Sequence, residues 1–169
     1  GGLNNGRGRG PAAPQGPAPK LANGQPDFSG VWQLAGPVGD LATGLPKGTD
    51  VPLNDAGKKV MASRQSKDDP EANCLPTGVP RVAPYPFRIV QTATHVYLLF
   101  EGNIHSFRQI FMNQEHPKDL NPTWYGHSVG KWVGEELVVD TVGFNGNTWL
   151  DLAGHPASDQ LHVIERYSR

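Results

Sequence analysis

The sequence predicts a mainly β domain, an antiparallel barrel-like sheet or a sandwich, with one short helix and a disordered N-terminal leader. Three observations carry that prediction. The 169 residues include 21 glycines and 16 prolines, a turn-rich composition that favours short strands over long helices. About seven segments from Phe28 onward alternate apolar and polar residues with the period of a strand. Only one segment, around Asn54–Arg64, has a capped helical pattern.

Composition also removes some classes of function. The formal net charge is −1, which gives no general case for nucleic-acid binding. Cys74 is the single cysteine, so no intrachain disulfide forms and the redox compartment is not legible from it. A chain of this length buries roughly 70% of its unfolded surface and needs no disulfide scaffold. No apolar run approaches the roughly 20 residues of a membrane-spanning helix.

In order along the chain, residues 1–25 are Gly, Pro, Ala, Asn and Gln, with Arg7, Arg9 and Lys20 as the only charges. Such a segment cannot bury enough apolar surface to offset its ordering entropy, and it reads as a disordered leader. Its two Gly-Arg pairs are too few to indicate RNA contact. With those three cations set aside, 12 of the 15 basic residues face 16 acidic ones, so the folded part is mildly acidic. The start without Met and the stop at Glu165-Arg166-Tyr167-Ser168-Arg169, inside a strand pattern, both read as cut ends. The expectation is a single β-rich domain over 26–169, truncated at its C-terminus.

That domain opens at Pro26-Asp27-Phe28-Ser29-Gly30-Val31-Trp32-Gln33-Leu34, a turn into a first strand. The Gly30-x-Trp32 pair resembles the opening of lipocalin-type (calycin-like) barrels, where Trp plugs the barrel end; a core Trp on any first strand reads the same way. Residues 36–52 are Gly/Pro-rich loop. The pattern predicts a helix over 53–64, N-capped by Asn54 or Asp55, with a thin apolar face of Val60 and Met61. Residues 67–86 hold five prolines and form loop rather than central strand. Asp68, Asp69 and Glu71 there are either a solvated acidic turn or a cation site, and Cys74 reads as a buried structural thiol.

From Phe87 the chain is strand-rich. Phe87–Thr92 and Val96–Glu101 form a hairpin, followed by a strand over Ile104–Met112 in which Arg108 shares a face with Ile110. The stretch His116–Phe144 is the organising element: a polar, aromatic loop, then a hairpin of Lys131–Gly134 and Glu136–Phe144. On its second strand Val138, Asp140 and Val142 share one face, and Leu137, Val139 and Thr141 the other. Leu161–Arg169 reads as the last strand.

Polar residues that interrupt apolar strands must be paired, solvated or open to a cavity. Arg108, Asp140, His162 and Glu165 are in this position, and Asp140 reads either as the partner of Arg108 or Arg166 or as a functional carboxylate. His127, Asp140 and His162 are the candidate catalytic set, because imidazole titrates near neutrality and a carboxylate can orient it. Arg108, His116, Trp124, Tyr125, Trp149, Asp151 and His155 are the candidate ligand-binding set, with the aromatic residues, including Trp132 and Phe144, suited to stacking on a sugar or planar ligand or to roofing the core. The late histidines with Asp140 and Asp151 could also ligate a metal, but no HxH, HExxH or CxxC spacing is present, and no metal or cofactor is expected. Gly126-His127-Ser128-Val129-Gly130 matches G-x-S-x-G in letters only, since a strand rather than a helix follows Ser128.

The segments PDFSGVW, DDPEANCLPTGVPR, PYPFRIVQT, FRQIFM, HPKDLNPTWYGHSVGKWVGEELVVDTVGFNGNTWLD and LHVIERYSR together resemble an uncharacterised family of small secreted bacterial β-rich proteins. The resemblance spans 26–169. It implies a signal peptide before a Gly/Pro/Ala-rich leader, an extracellular or periplasmic address, and further strand sequence after Arg169. This chain departs from it in the Val133-Gly134-Glu135-Glu136 turn and in having Ala157 where the family often has a second His. The function expected is an exported barrel that binds a small molecule, aromatic or sugar, near the His116–His127 and Asn145–His162 loops, without nucleic acid or membrane span. The alternatives are a lyase, isomerase or hydrolase using a His/Asp/Arg pocket, with or without metal, and a structural or surface-interaction protein.

Overall fold

The computed structural model describes residues 16–33, 39–82 and 85–169. Leu34 of the expected first strand and the first 15 residues of the expected leader lie outside them. Seven strands form one sheet whose spatial order follows the sequence. They are β1 (Gly30–Trp32), β2 (Phe87–Gln91), β3 (His95–Phe100), β4 (Phe107–Met112), β5 (His127–Val133), β6 (Glu136–Val142) and β7 (Val163–Tyr167). The helix α1 (Asp55–Ser63) is capped by Asn54, whose side chain accepts from the Gly57 N–H at 2.8 Å.

The sheet curls into a half-barrel. It departs from the antiparallel expectation at one place: β4 and β5 are parallel, pairing Ile110 with Ser128 and Met112 with Gly130. The other neighbours are antiparallel. Parallel neighbours cannot be joined by a hairpin, so the chain must cross over between them. The crossover, residues 113–126, contains Pro117 and Pro122, which break any ladder in it. It runs over the outer face of β5 and β6, and this places His116 there.

The inner face of the curl is the core. Phe28, Ile89, Val96, Leu98, Ile110, Met112, Leu137 and Val139 are buried in one cluster, with Val82 and Phe100. Phe28 stacks on Trp132 with centroids 5.6 Å apart, bringing the approach to β1 against the end of β5. Arg169 extends this closure: its guanidinium lies 5.1 Å from the Trp32 ring centre and donates to the Asp27 carbonyl. Gly130 faces inward, where a Cβ would stand 2.8 Å from Ile110 and 3.0 Å from the Met112 sulfur, so only Gly admits this packing.

Some loop expectations change. Residues 16–25, assigned to the leader by composition, rest on the domain: Pro19 accepts from the Asp27 N–H at 2.8 Å, and Lys20 pairs with Glu135 at 2.5 Å. Asp69 and Glu71 make neither a solvated turn nor a cation site. Arg81, almost fully buried, binds Asp69 through two 2.7 Å contacts and Glu71 at 3.2 Å. Burial acts to raise the Asp69 pKa, but Arg81 outweighs it and the carboxyl sits below its ordinary range. Cys74 is exposed, in a left-handed backbone conformation that ends a short 3₁₀ turn, rather than buried. Among the described residues no helix is long and apolar enough to cross a membrane.

Candidate functional site

Strand alternation divides the predicted site residues between two faces. Arg108 points inward, and Asp140 points outward beside Val129, its register partner on β5, and Ile164, its partner on β7. The two therefore do not line one pocket, and Asp140 is not the ion-pair partner of Arg108 or of Arg166.

Arg108 is 2% exposed and satisfied by a structural network. Its Nε donates to Ser128 Oγ at 3.0 Å and its Nη2 to Thr141 Oγ1 at 2.8 Å. Both terminal nitrogens also meet the Glu165 carboxylate, at 3.0 Å through Nη1 and in closer contact through Nη2. Tyr167 donates to Glu165 at 2.8 Å, and burial raises its phenol above the ordinary range. Burial alone would lower the Arg108 pKa; the Glu165 charge reverses this and the guanidinium stays cationic. Ser128 is thus an inward strand residue bonded to an arginine, which removes any nucleophile-elbow reading. The network lines an inner hollow of about 370 Å³ with Phe87, Leu98 and Phe100.

The outer face holds the other constellation. His127 opens β5, Asp140 lies in β6, His162 directly precedes β7, and the crossover lays His116 over them. His116 Nδ1 is 2.9 Å from His127 Nδ1, His116 Nε2 is 3.3 Å from Asp140 Oδ1, and His162 Nε2 is 2.9 Å from the same oxygen. A carboxylate only accepts, so both Nε2 atoms carry protons. With a neutral His116 ring, that leaves a lone pair on His116 Nδ1 and makes His127 the donor across the imidazole pair. The chain runs His127 Nδ1–H to His116, and His116 Nε2–H to Asp140, with His162 bonded to Asp140 from the opposite side. His127 stacks on Phe111 with centroids 4.8 Å apart. Burial first, and His116 second, lower its pKa, so the His127 ring is neutral at pH 7 with Nε2 as its basic nitrogen. Gly126 sets up this strand start. Its φ is +65° and a Cβ would lie 2.6 Å from the Val142 carbonyl.

Asp140 also belongs to an open groove of about 580 Å³ along the outer face. Val129, Val138 and Ile164 supply an apolar floor, Lys131 and Arg166 a cationic side, and Asn113, Gln114 and Glu115 of the crossover a polar wall. Arg166 is held by Glu136 at 2.8 Å, while Lys131 makes no ion pair among the described residues.

The remaining candidates lie elsewhere. Asp151 and His155 are buried on the loop before β7. Asp151 accepts from the Leu41 N–H at 2.8 Å, the His155 N–H at 3.0 Å and His155 Nδ1 at 2.5 Å. Burial would raise its pKa, but these donors hold it below the ordinary range. Asp40 lies 3.9 Å from the same His155 nitrogen. The trio has the residue types of a metal site, but ligand atoms on one ion stand about 2.8 Å or more apart at bond lengths of roughly 2.0–2.2 Å. The 2.5 Å contact is instead a hydrogen bond that ties this loop to residues 40–42. Trp149 is buried under Arg64, whose guanidinium is 4.7 Å from the ring centre, and Tyr125 stacks on Phe100 at 6.1 Å and bonds Ser106 at 2.5 Å. Phe144 is fully buried and Trp132 packs on Phe28, so these aromatics serve the core, and Trp124 is half-buried beside Gly78.

No family model, no curated protein and no solved structure matches the chain. Function rests on the site alone. The groove floor is what sequence reading missed, though a signal existed: Val129, Val138 and Ile164 are apolar on the face where an exposed antiparallel sheet carries polar residues.

Proposed function

We propose that this chain binds a small organic molecule in the outer groove. The supporting observation is the groove's composition. An apolar floor of Val129, Val138 and Ile164 lies between the ammonium of Lys131, which makes no ion pair among the described residues, and the Asp140 carboxylate. A concave site with apolar lining and few convergent polar groups suits a ligand with a flat or apolar body, such as an aromatic acid or a sugar face, and polar ends. An exported address accords with this reading and awaits its own test by fractionation of cells producing the full-length protein.

A second reading is favoured by a separate observation, the hydrogen-bonded chain from His127 to Asp140. A neutral imidazole whose proton is held by a carboxylate-linked partner is equipped as a general base. If the bound molecule carries an acidic proton near His127 Nε2, the same site is a lyase or isomerase. The Arg108 guanidinium takes no part in it, being on the opposite face.

Ligand-observed NMR against a panel of aromatic acids and monosaccharides tests the binding reading. Val138→Trp fills the groove floor and should abolish binding of any hit, while Arg88→Gln, on β2, should leave it unchanged. A hit that binds Val138→Trp as well as wild type refutes the groove. Turnover of the hit, lost in His127→Gln while binding persists, would establish the enzymatic reading.

A further inference from the structure

We infer that His116 and His127 form a binding site for a divalent transition ion, copper(II) above zinc(II), next to Asp140 of the groove. The inference does not depend on what the groove itself binds. Two imidazole Nδ1 atoms face one another at 2.9 Å, and one proton serves both. That arrangement holds a proton where a borderline metal ion could sit. At metal–nitrogen bonds of about 2.0–2.1 Å, two nitrogens at a right angle stand about 2.9 Å apart, and at a tetrahedral angle about 3.3 Å. The observed spacing therefore needs reorientation of the rings more than their separation, and it favours the right-angled geometry of copper(II) or nickel(II).

Two further features prepare the pair. Asp140 accepts from His116 Nε2, fixing the tautomer that leaves Nδ1 unprotonated. A carboxylate behind a ligating imidazole orients the ring and raises its basicity. His127 is braced by its stack on Phe111, with ring centroids 4.8 Å apart. When the ion enters, the His127 proton moves from Nδ1 to Nε2, which has no partner among the described residues. The remaining coordination positions would be taken by water or by a donor atom on a bound molecule. The buried Asp151–His155 pair lacks this character, since both Asp151 oxygens are already engaged by backbone donors.

The test is calorimetric titration of the untagged full chain with copper(II) and then zinc(II) in a non-coordinating buffer at pH 7.5, with electron paramagnetic resonance on the copper form. One equivalent of copper should bind, with hyperfine splitting from two nitrogens, and more tightly than zinc. His116→Gln and His127→Gln should each weaken binding at least about 100-fold. Asp140→Asn should weaken it about 10- to 100-fold while retaining the two-nitrogen signal, as expected of an orienting group. His105→Gln, on a separate 3₁₀ turn, should be unchanged. Circular dichroism of each variant distinguishes loss of the ligand from loss of the fold. The inference is overturned if wild type shows no stoichiometric site, or if folded His116→Gln binds copper as tightly as wild type, which would mean His127 alone or another part of the chain holds the ion.

Discussion

Removing Glu165 tests the division of polar residues between the two faces of the sheet. In Glu165→Ala the Arg108 side chain, 2% exposed, keeps its charge and its bonds to Ser128 and Thr141 but loses two contacts to the carboxylate. Breaking a buried pair from one side leaves an uncompensated charge and costs about 3–5 kcal/mol. Glu165 is 21% exposed, so water can reach part of the vacated space and the expected cost is the lower figure, about 3 kcal/mol. For a domain of this size that lowers Tm by about 6–12 °C. The triple variant Arg108→Met, Glu165→Met, Tyr167→Phe removes every member of the network that Glu165 serves. Ser128 and Thr141 remain bonded to one another at 3.0 Å. It should fall within about 1 kcal/mol of wild type or exceed it, because an apolar replacement avoids desolvating both charges. Urea unfolding followed by tryptophan fluorescence and circular dichroism supplies both values. A loss below about 1 kcal/mol in Glu165→Ala would refute the reasoning, since Arg108 would then be solvated and free to meet a ligand.

Three other outcomes follow from the same geometry. Gly126→Ala must accept a positive φ and a Cβ 2.6 Å from a backbone oxygen, so it should lose at least about 2 kcal/mol in urea unfolding. Asp151→Ala removes the acceptor of one buried and one part-buried N–H group and of an imidazole. It should cost about 3 kcal/mol and raise amide exchange at Leu41 and His155, measured by hydrogen exchange. The His127 pKa is lowered on folding, so the unfolded chain binds the proton more readily and stability is full above about pH 6.5 and declines below it. The urea midpoint should fall between pH 7.5 and 5.5, and His127→Gln should show a smaller fall.

Much of the fold was legible because burial imposes a period of two. The faces assigned from the sequence to Arg108 and Ile110 and to Asp140 and Val138 are those observed. The helix start was legible because Asn54 has a short acceptor at the capping position. The parallel pairing of β4 and β5 was not, because strand sequences carry no mark of their neighbours' direction. Only the length and proline content of residues 113–126 hinted that no hairpin joins them. This concealed the path of the crossover, and with it the contacts of His116. The histidines were recognised as candidates individually, but sequence spacing says nothing about imidazoles brought together by a crossover and two strand registers. Arg108 and Asp140 were grouped because both interrupt apolar runs. Their opposite directions were implicit in the alternation, and only the assembled sheet shows which direction is inside. Cys74 was expected in the core on its chemistry alone, and the 3₁₀ turn that exposes it has no strong sequence signature.

The central claim, that one hydrogen-bonded chain links the three outer-face histidines to Asp140, is tested most directly by a long-range ¹H–¹⁵N NMR spectrum of the imidazole nitrogens at pH 7.5. The geometry requires protons on His116 Nε2, His162 Nε2 and His127 Nδ1, the last being the less common tautomer. Asp140→Asn should disturb the His116 and His162 signals together. Ordinary Nε2–H signals from His127, with His116 and His162 signals unmoved by Asp140→Asn, would contradict the account.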